Sequence, residues 1–367
     1  MDVALQRLRN QRLVGKPFAA PEDVVRWLGA VQAQDFAGAK WAIAQRTGGA
    51  TDADLDRACA DGRILRTHVL RPTWHFVVPD DIRWMLALTA PRVRTAMAYH
   101  ARQLALDAAV YRRSQAVLQK ALAGGKALTR DELGRTLGAA GIQASGPRLG
   151  LLMMRAELDA LIASGPRRGK QSTYALLDER APRGRALARD EALAELVGRY
   201  FASHGPALPQ DFAWWAGLTV ADARRGIESA SPRLTPVNVG GKIYWHAPGA
   251  APAVRGSAGV VHLLPNYDEL TVAYRDRAES LAPGLSVTFA GRPEMVMNHV
   301  VSVGGRVVGG WRRVPGKGAT IVETTLATRL DASAREALRA AAARFERFLG
   351  HTVTLRARPV GGRIRAR

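Results

Sequence analysis

The stretch TRDELGRTLGAAGIQASGPRLGLLMMRAEL, residues 129–158, indicates the fold more clearly than any other part of the chain. Thr129, followed three residues later by Glu132, forms a capping box, the pattern that begins a helix. Gly138 marks the end of that helix. A second helix begins at Ser145-Gly146-Pro147, because proline is tolerated in the first helical turn. The stretch therefore predicts two consecutive helices joined by a short turn.

A basic hairpin follows these two helices. The loop SGPRRGKQS, residues 164–172, lies between an apolar segment and the strand-like residues Thr173–Leu177. A helix over Arg112–Leu122 precedes the whole group. Three helices closed by a two-stranded hairpin are the plan of a winged helix-turn-helix unit, in which the hairpin is the wing.

The same succession of elements occurs twice more. Before residue 111 we expect helices over Arg7–Leu13, Glu22–Ala30, Phe36–Gln45 and Asp52–Ala60, strands over Ile64–Leu70 and Thr73–Val78, and a long helix from Pro79 to about Leu106. After residue 185 we expect helices over Asp190–His204 and Gln210–Ala216, another capped by Thr219, and the hairpin Leu234–Trp245. We therefore predict three tandem winged units, over residues 1–110, 111–185 and 186–250.

The end of the chain has a different pattern. Residues 250–259 are rich in Ala, Pro and Gly, the composition of a linker. We expect strands over Val260–Leu264, Ser286–Ala290, Val300–Val303, Arg306–Trp311 and Thr320–Leu326, and a helix over Asp331–Leu349. The arginine-rich tail Arg356–Arg367 is expected to be frayed. We therefore predict an α+β protein whose residues 255–367 form a β-barrel-like domain.

The charge of the chain indicates a polyanionic partner. Its 53 Lys and Arg residues exceed its 32 Asp and Glu residues by 21, a balance typical of proteins that bind nucleic acid. The single cysteine, Cys59, excludes an internal disulfide and a thiolate zinc cluster. The first residues lack a signal-peptide pattern, and no apolar run approaches the roughly 18 residues of a membrane helix. We expect a cytoplasmic monomer without membrane association.

Neither a metal site nor a cofactor is expected. The eight histidines are scattered and none forms an HxxxH pair, although His68 and His75 flank a predicted hairpin turn and are placed to face each other. We interpret both as structural. No glycine-rich nucleotide loop and no GxSxG nucleophile elbow occurs, which disfavours nucleotide-cofactor chemistry and a serine hydrolase.

Two groups of charged residues are candidates for the function. Arg167, Arg168 and Lys170, at the tip of the second wing, suit contacts with DNA phosphates, with an ordinary solvated surface as the alternative. The pair Asp268-Glu269 offers a general base; alternatively it caps a turn and pairs with an arginine of the segment 275–277.

Gln32-Ala33-Gln34 is the most informative segment for chemistry. If the backbone is extended here, the two glutamine side chains point the same way, because side chains alternate along a strand. Two amides aimed together donate and accept hydrogen bonds without carrying charge, and so suit the positioning of a water molecule or a sugar oxygen. The spacing alone is weak evidence, because such a pair is usually on the surface.

Further motifs surround this pair and follow one another along most of the chain. They are RTHVLRPTWH (residues 66–75), HGP (204–206) with DFAWWAG (211–217), LLPNYDE (263–269) and GGWRR (309–313). In these motifs the chain resembles the AlkZ-type DNA glycosylases of the winged-helix DNA-binding domain family, which have two glutamines around a small apolar residue. The related YcaQ-like branch has aspartate at the second position, so Gln34 favours the AlkZ-like branch.

The resemblance implies a fold and a reaction. The fold would be three winged helices and a β-barrel in a C shape around double-stranded DNA. The reaction would be hydrolysis of the N-glycosidic bond of N7-alkylated purines, including the unhooking of interstrand crosslinks, in self-resistance to a DNA-alkylating natural product. Gln34 would position the attacking water and Gln32 would be its partner facing the sugar; the enzyme would need no cofactor.

The chemistry of the lesion is compatible with this assignment. An N7-alkyl group makes the purine cationic, so the base leaves as a neutral molecule without a strong general acid, and the sugar passes through an oxocarbenium-like state. Two amides can position water and tolerate that developing charge. No lysine is placed as a Schiff-base nucleophile, so we expect a monofunctional enzyme that leaves an abasic site.

A second hairpin is expected to probe the DNA. A crosslinked guanine is tethered to the opposite strand and cannot be flipped completely out of the duplex, unlike the usual glycosylase substrate. The segment Arg312–Gly318, with Arg312, Arg313 and Lys317, is the candidate for contacting such a lesion in an open cleft. An ordinary basic surface turn is the alternative.

Two other functions remain open. The first is a non-enzymatic winged-helix DNA-binding transcription regulator, against which three fused units argue mildly, because regulators usually reach two half-sites by dimerising. The second is a carboxylate-based hydrolase that uses Asp268.

Overall fold

A computed structural model describes residues 1–181, 184–248, 256, 259–285, 298–316 and 318–358. The predicted linker over residues 250–259 and the predicted strand over residues 286–290 therefore lie largely or wholly outside the described residues. No helix in the described ranges is long and apolar enough to cross a membrane.

The first unit contains a three-stranded sheet between helices. Its elements are α1 (Val3–Asn10), α2 (Pro21–Leu28), β1 (Val31–Gln32), α3 (Phe36–Ala44), α4 (Asp52–Ala60), β2 (Leu65–His68), β3 (Trp74–Val77) and the long helix α5 (Pro79–Gln103). The strand order is β1-β3-β2, so the central strand β3 pairs on one side with the short strand that carries Gln32.

The second unit repeats this order of elements. It contains α6 (Ala108–Leu122), β4 (Leu128–Thr129), α7 (Arg130–Ala139), α8 (Gly146–Leu158), β5 (Ile162–Arg168), β6 (Gln171–Leu176) and the short helix α9 (Leu177–Arg180). Its strand order β4-β6-β5 matches that of the first unit. The capping box predicted at the start of α7 is present, with reciprocal hydrogen bonds between Thr129 and Glu132.

The third unit has the same helices but a reduced sheet. It contains α10 (Arg189–Ser203), α11 (Pro209–Ala216), α12 (Val220–Ser229), β7 (Thr235–Val239) and β8 (Lys242–His246). The other two units each have a short first strand; in the third unit a single β-bridge between Ala207 and Trp245 takes its place. The predicted succession of helices and a hairpin is thus present three times.

The C-terminal part is a five-stranded sheet with one long helix. Its elements are β9 (Val261–Leu264), α13 (Glu269–Val272), β10 (Val300–Val303), β11 (Arg306–Gly316), β12 (Ala319–Leu326), α14 (Ala332–Leu349) and β13 (Val353–Arg358). The strand order is β13-β12-β11-β10-β9, and the two outer strands, β13 and β9, do not pair with each other in the described part. The tail prediction was wrong for Arg356–Arg358, because this segment pairs in parallel with β12; residues 359–367 lie outside the described residues.

The first unit is packed between the third unit and the C-terminal sheet. Trp41 on α3 lies 4.9 Å from Phe345 on α14, ring centre to ring centre, and its indole N–H donates to the Leu263 carbonyl. On the other side, the first and third units share one apolar cluster that includes the fully buried Trp215. Apolar burial of this kind is the main stabilising contribution to such contacts. Ala30, just before β1, belongs to the cluster shared with the third unit, and Val31 of β1 belongs to the cluster shared with the C-terminal sheet.

Candidate active site

The two glutamines lie directly after α2, but the chain presents them differently. Gln32 is paired with His75 across β1 and β3 and is only 6% exposed. Gln34 lies in the bend that precedes α3, and its side chain is exposed. The extended conformation therefore ends before Gln34, and strand alternation does not determine where its side chain points.

Gln32 is held by a cation and a carboxylate. The Arg71 guanidinium donates to the Gln32 side-chain Oε1 over 2.8 Å, and the Gln32 main-chain N–H donates to Glu269 Oε1 over 2.9 Å. Burial lowers the pKa of Arg71, and the nearby Glu269 charge partly offsets this. A guanidinium remains charged at neutral pH even so. The Gln32 amide is thus fixed in orientation by a charge-assisted hydrogen bond.

Arg71 lies in the turn between β2 and β3, where the third unit packs closely. Leu70, just before it, has a positive φ of 64°. Its carbonyl oxygen would lie only 2.2 Å from a Cβ atom placed on Gly217. Only glycine permits this approach, because any side chain would collide with the backbone of the turn. The third unit therefore helps to set the position of Arg71.

Glu269 connects three parts of the chain behind β1. Its carboxylate accepts hydrogen bonds from the Trp215 indole N–H at 3.0 Å and is 3.3 Å from His204 Nε2, besides the bond from Gln32. Its side chain is 1% exposed. A carboxylate so enclosed by donors cannot reach a substrate, so its role is to orient β1.

Asp268 is equally inaccessible. Both of its carboxylate oxygens accept from the Arg46 guanidinium, at 2.9 and 3.0 Å, in a fully buried bidentate pair. Its Oδ1 also accepts from the Leu270 N–H, so the expected cap is present. The expected pairing with an arginine of the segment 275–277 was wrong, since Arg46 is the partner. This placement leaves a hydrolase based on Asp268 without support.

Gln34 lies on a groove between the first and second units. The groove has a volume of about 370 Å³ and is bounded by the β2–β3 hairpin, α5 and the start of α8. The main-chain N–H of Trp74 donates to Gln34 Oε1 over a long distance of 3.4 Å, so the Gln34 carbonyl is only weakly engaged by the protein. The groove lining combines aromatic rings, methionines and cations, and it contains no carboxylate among the described residues.

The two hairpin histidines differ sharply. The register places His68 opposite Trp74 and His75 opposite Thr67, so the expected face-to-face arrangement was wrong. His75 is fully buried beside the Thr73 carbonyl, and burial holds its pKa well below the usual value, so it is a neutral structural residue. His68 instead lines the groove. No group of three metal-ligating side chains occurs in the ranges that the structure covers.

Comparison with known proteins identifies the family. The model of a family described as "DNA glycosylase AlkZ-like" matches residues 25–348, which include both glutamines and the Asp268-Glu269 pair. The chain belongs to the AlkZ-like DNA glycosylase family. The substrate class of this family is DNA.

Two relatives within the AlkZ-like family cover most of the chain. An interstrand DNA cross-link repair glycosylase of Streptomyces sahachiroi is 25% identical over 323 residues, 84% of this chain and 86% of the relative. The solved structure of the DNA glycosylase AlkZ of the same organism has a TM-score of 0.80 and 24% identity, with 97% of this chain and 98% of that chain covered. The fold is therefore the mixed α and β fold of that AlkZ structure.

The predicted phosphate contacts are partly engaged within the protein. The Arg167 guanidinium lies over the Phe36 ring, 4.4 Å from its centre, and so joins the β5–β6 hairpin to α3 of the first unit. Arg168 forms an ion pair with Glu132, and Lys170 at the turn is exposed.

The second predicted DNA contact also forms a hairpin, since β11 and β12 pair up to Gly316 and Ala319. Arg312 forms an ion pair with Glu323 at 2.7 Å, whereas Arg313 is exposed and lies 5.7 Å from the centre of the Phe345 ring. Lys317 lies outside the described residues.

Sequence reasoning did not find the groups that hold Gln32. Arg71 is 39 positions away along the chain and Glu269 is 237 positions away, so no local pattern joins them to Gln32. Both fall inside the motifs in which the sequence resembles the AlkZ-like family, and this resemblance was the one signal available in the sequence.

Proposed function

We propose that this member of the AlkZ-like family is a monofunctional DNA glycosylase that hydrolyses the N-glycosidic bond of N7-alkylated purines in double-stranded DNA. One observation carries the proposal: an exposed amide, Gln34, follows a buried amide, Gln32, that a cation holds in place. The adjoining groove has no carboxylate in its described lining. Such a site lacks a strong acid, which an already cationic leaving base does not need.

The two glutamines take different roles in this proposal. The Gln34 carbonyl has only a long contact to Trp74 and is therefore available to accept a hydrogen bond from a water molecule. The Gln32 carbonyl is engaged by Arg71, which fixes the orientation of the side chain, and we assign this amide to the sugar side of the site. An exposed oxygen beside an oriented donor suits the positioning of water against a sugar that develops positive charge.

The rest of the fold is proposed to hold DNA. We assign residues 1–110, 111–185 and 186–250 as winged helices and residues 255–367 as a barrel-like domain, in a C shape around the duplex. The net charge of +21 and the repeated order of elements support this arrangement. The contacts come from the tips of the β5–β6 and β11–β12 hairpins: Arg167, Arg168 and Lys170 at one, and Arg312, Arg313 and Lys317 at the other.

The lesions handled in the cell are proposed to include interstrand crosslinks. A relative covering 84% of this chain is named an interstrand cross-link repair glycosylase. An open groove, rather than a closed pocket, suits a guanine tethered to the opposite strand. Self-resistance to a DNA-alkylating natural product follows as the proposed biological role.

The test is release of 7-methylguanine from methylated duplex DNA. We expect the wild-type protein to release the free base without cutting the strand. The double variant Gln32→Ala, Gln34→Ala should release none while it unfolds at the wild-type temperature. Strand cutting would contradict monofunctional chemistry. If the double variant keeps its activity, the two glutamines are not the catalytic pair.

The transcription regulator makes the opposite prediction. Such a protein would release no base and would protect one defined operator sequence in a footprint. Membership of a DNA glycosylase family favours the enzyme. Absence of release by the wild-type protein, together with a sequence-specific footprint, would favour the regulator.

A further inference from the structure

The two amides leave one step of the proposed reaction without a group to perform it. When water attacks C1′ of the sugar, the new O–H group must lose a proton. A carboxamide does not accept a proton near neutral pH, and the described groove lining contains no carboxylate. If the proposed function holds, a basic side chain at the groove would speed this step by accepting the proton.

His68 is the candidate for this group. It is 4% exposed and lines the same groove as Gln34. Its ring centre lies 4.5 Å from that of Trp74, whose main-chain N–H contacts Gln34. Imidazole is the one side chain whose ordinary titration falls between pH 5 and 8.

Glu157 on α8 holds the other side of the His68 ring. Its carboxylate, 1% exposed, is hydrogen-bonded to His68 Nδ1. A neutral imidazole that donates from Nδ1 has its lone pair on Nε2. In the part of the chain that the structure describes, Nε2 has no hydrogen-bond partner. The nitrogen opposite Glu157 is therefore the one available to a ligand in the groove.

We propose that His68, oriented by Glu157, is the general base of the reaction. The C1′–N9 bond breaks and its electron pair goes to the purine, which becomes a neutral alkylated base. The water oxygen forms the new bond to C1′, and its proton moves to His68 Nε2. The Glu157 carboxylate offsets the charge of the imidazolium until solvent removes the proton. No oxidant, metal or further reactant is required.

Other charged and titratable groups surround this pair. They are Arg66 beside Trp74, the neutral His75, Tyr174 on β6, Arg130 on α7 and the exposed His100 on α5. Burial raises the pKa of Tyr174, so its phenol remains neutral. Within the groove lining, His100 is the other histidine, and it is the competing candidate for the base.

A purely structural role is the alternative. His68 lies on β2 of the first unit and Glu157 on α8 of the second, so their bond also ties the two units together. Loss of that tie would lower stability at every pH. It would leave the pH dependence of the chemical step unchanged, and this separates the two explanations.

The experiment is the single-turnover rate of 7-methylguanine release from methylated duplex DNA between pH 5 and 9, with enzyme in excess. We expect the wild-type rate to rise with pH to a plateau, with a slope of one proton. His68→Gln should lower the plateau by about 100-fold or more and abolish the rise. Glu157→Gln should move the rise to lower pH, because the carboxylate favours the charged imidazolium. His351→Gln, an exposed histidine on the C-terminal part, is the matched control and should match the wild type.

The outcomes separate the two proposals. If the wild-type protein releases no base at any pH, the proposed function fails. If it releases base and the rise with pH persists in His68→Gln, or disappears in His100→Gln instead, the assignment of His68 is overturned. If His68→Gln does not fold, Glu157→Gln decides: a displaced midpoint supports the assignment and an unmoved one overturns it. DNA affinity and unfolding temperature, measured on each variant, show whether a slower rate reflects chemistry.

Discussion

The first and second units share one frame and differ at one short connection. In each unit a two-residue strand pairs with the second hairpin strand, so that Gln32 lies opposite His75 and Thr129 lies opposite Thr173. In the second unit Thr129 is also the N-cap of the next helix. In the first unit residues 33–35 separate the strand from its helix.

This spacer accounts for the position of Gln34. Asp35 caps α3 as Thr129 caps α7, so the helix begins correctly after three additional residues. Ala33 still donates from its main-chain N–H to the Trp74 carbonyl, whereas Gln34 and Asp35 lie beyond this hydrogen bond, and Gln34 exposes its amide to the groove. The comparison shows that the repeated fold positions the helices and strands. The candidate catalytic groups come from the short connecting segment and from the buried charged side chains behind it.

Among the variants outside the glutamine pair, the largest effect is expected at Arg71, the cation that holds Gln32. Arg71→Met removes the hydrogen bond to the Gln32 carbonyl and should lower the single-turnover rate of base release by about 100-fold, because small displacements of catalytic groups cost that much. Arg71→Lys should recover part of the rate. Arg225→Met, at an exposed ion pair on α12, is the control. A wild-type rate in Arg71→Met would mean that Gln32 needs no cation.

Acid should weaken the first unit and the C-terminal sheet more than the second unit. Burial lowers the pKa of His262 to about 3, and the folded protein therefore binds fewer protons than the unfolded chain below pH 6.5. The stabilisation that neutral His262 provides is present above its ordinary pKa of 6.5 and is lost progressively as the pH falls towards 3. Linkage gives a loss of about 2 kcal/mol in unfolding free energy from pH 7 to pH 5. His75, with its lowered pKa, adds in the same direction.

Denaturant titration at the two pH values measures this loss. His262→Gln should flatten the dependence on pH, while His351→Gln should not. Residues 108–181 contain no histidine, so their amide protons should be the less sensitive to acid in hydrogen exchange. Equal unfolding free energies at both pH values would show that the buried histidines become protonated without cost.

The smallest effects are expected at the two helix caps. Asp35→Ala and Thr129→Ala each remove a side-chain acceptor from a helix start and should cost about 1 kcal/mol of unfolding free energy. Only Asp35→Ala should also slow base release, by about tenfold, because Asp35 follows Gln34 and accepts a hydrogen bond from Asn266. Equal base-release rates in the two variants would show that residues 33–35 have no particular role in base release.

Local sequence signals predicted most of the helices and hairpins. The capping box at Thr129, the glycine stops and the basic hairpins depend on residues within a few positions, and these elements are present. The parallel strand β13 was missed because its partner β12 is about 33 positions earlier, and arginines alone indicated a frayed tail. The error for His68 and His75 has the same origin, since hairpin register depends on a turn whose conformation the sequence leaves open.

The candidate site was predictable only in part. The glutamines were found through their resemblance to a family, but their different exposures depend on where β1 ends. Arg71 and Glu269 meet Gln32 through tertiary packing, and the burial that makes them effective cannot be seen from their neighbours in sequence.

The central claim is that the amide exposed by the spacer positions the attacking water. The most direct measurement is the single-turnover rate of 7-methylguanine release by Gln34→Ala and Gln34→Asp, with DNA affinity and unfolding temperature as controls. We predict that the alanine variant loses release and that the aspartate variant keeps it, because a carboxylate oxygen also accepts a hydrogen bond from water. Undiminished release by a folded, DNA-binding alanine variant would contradict the account.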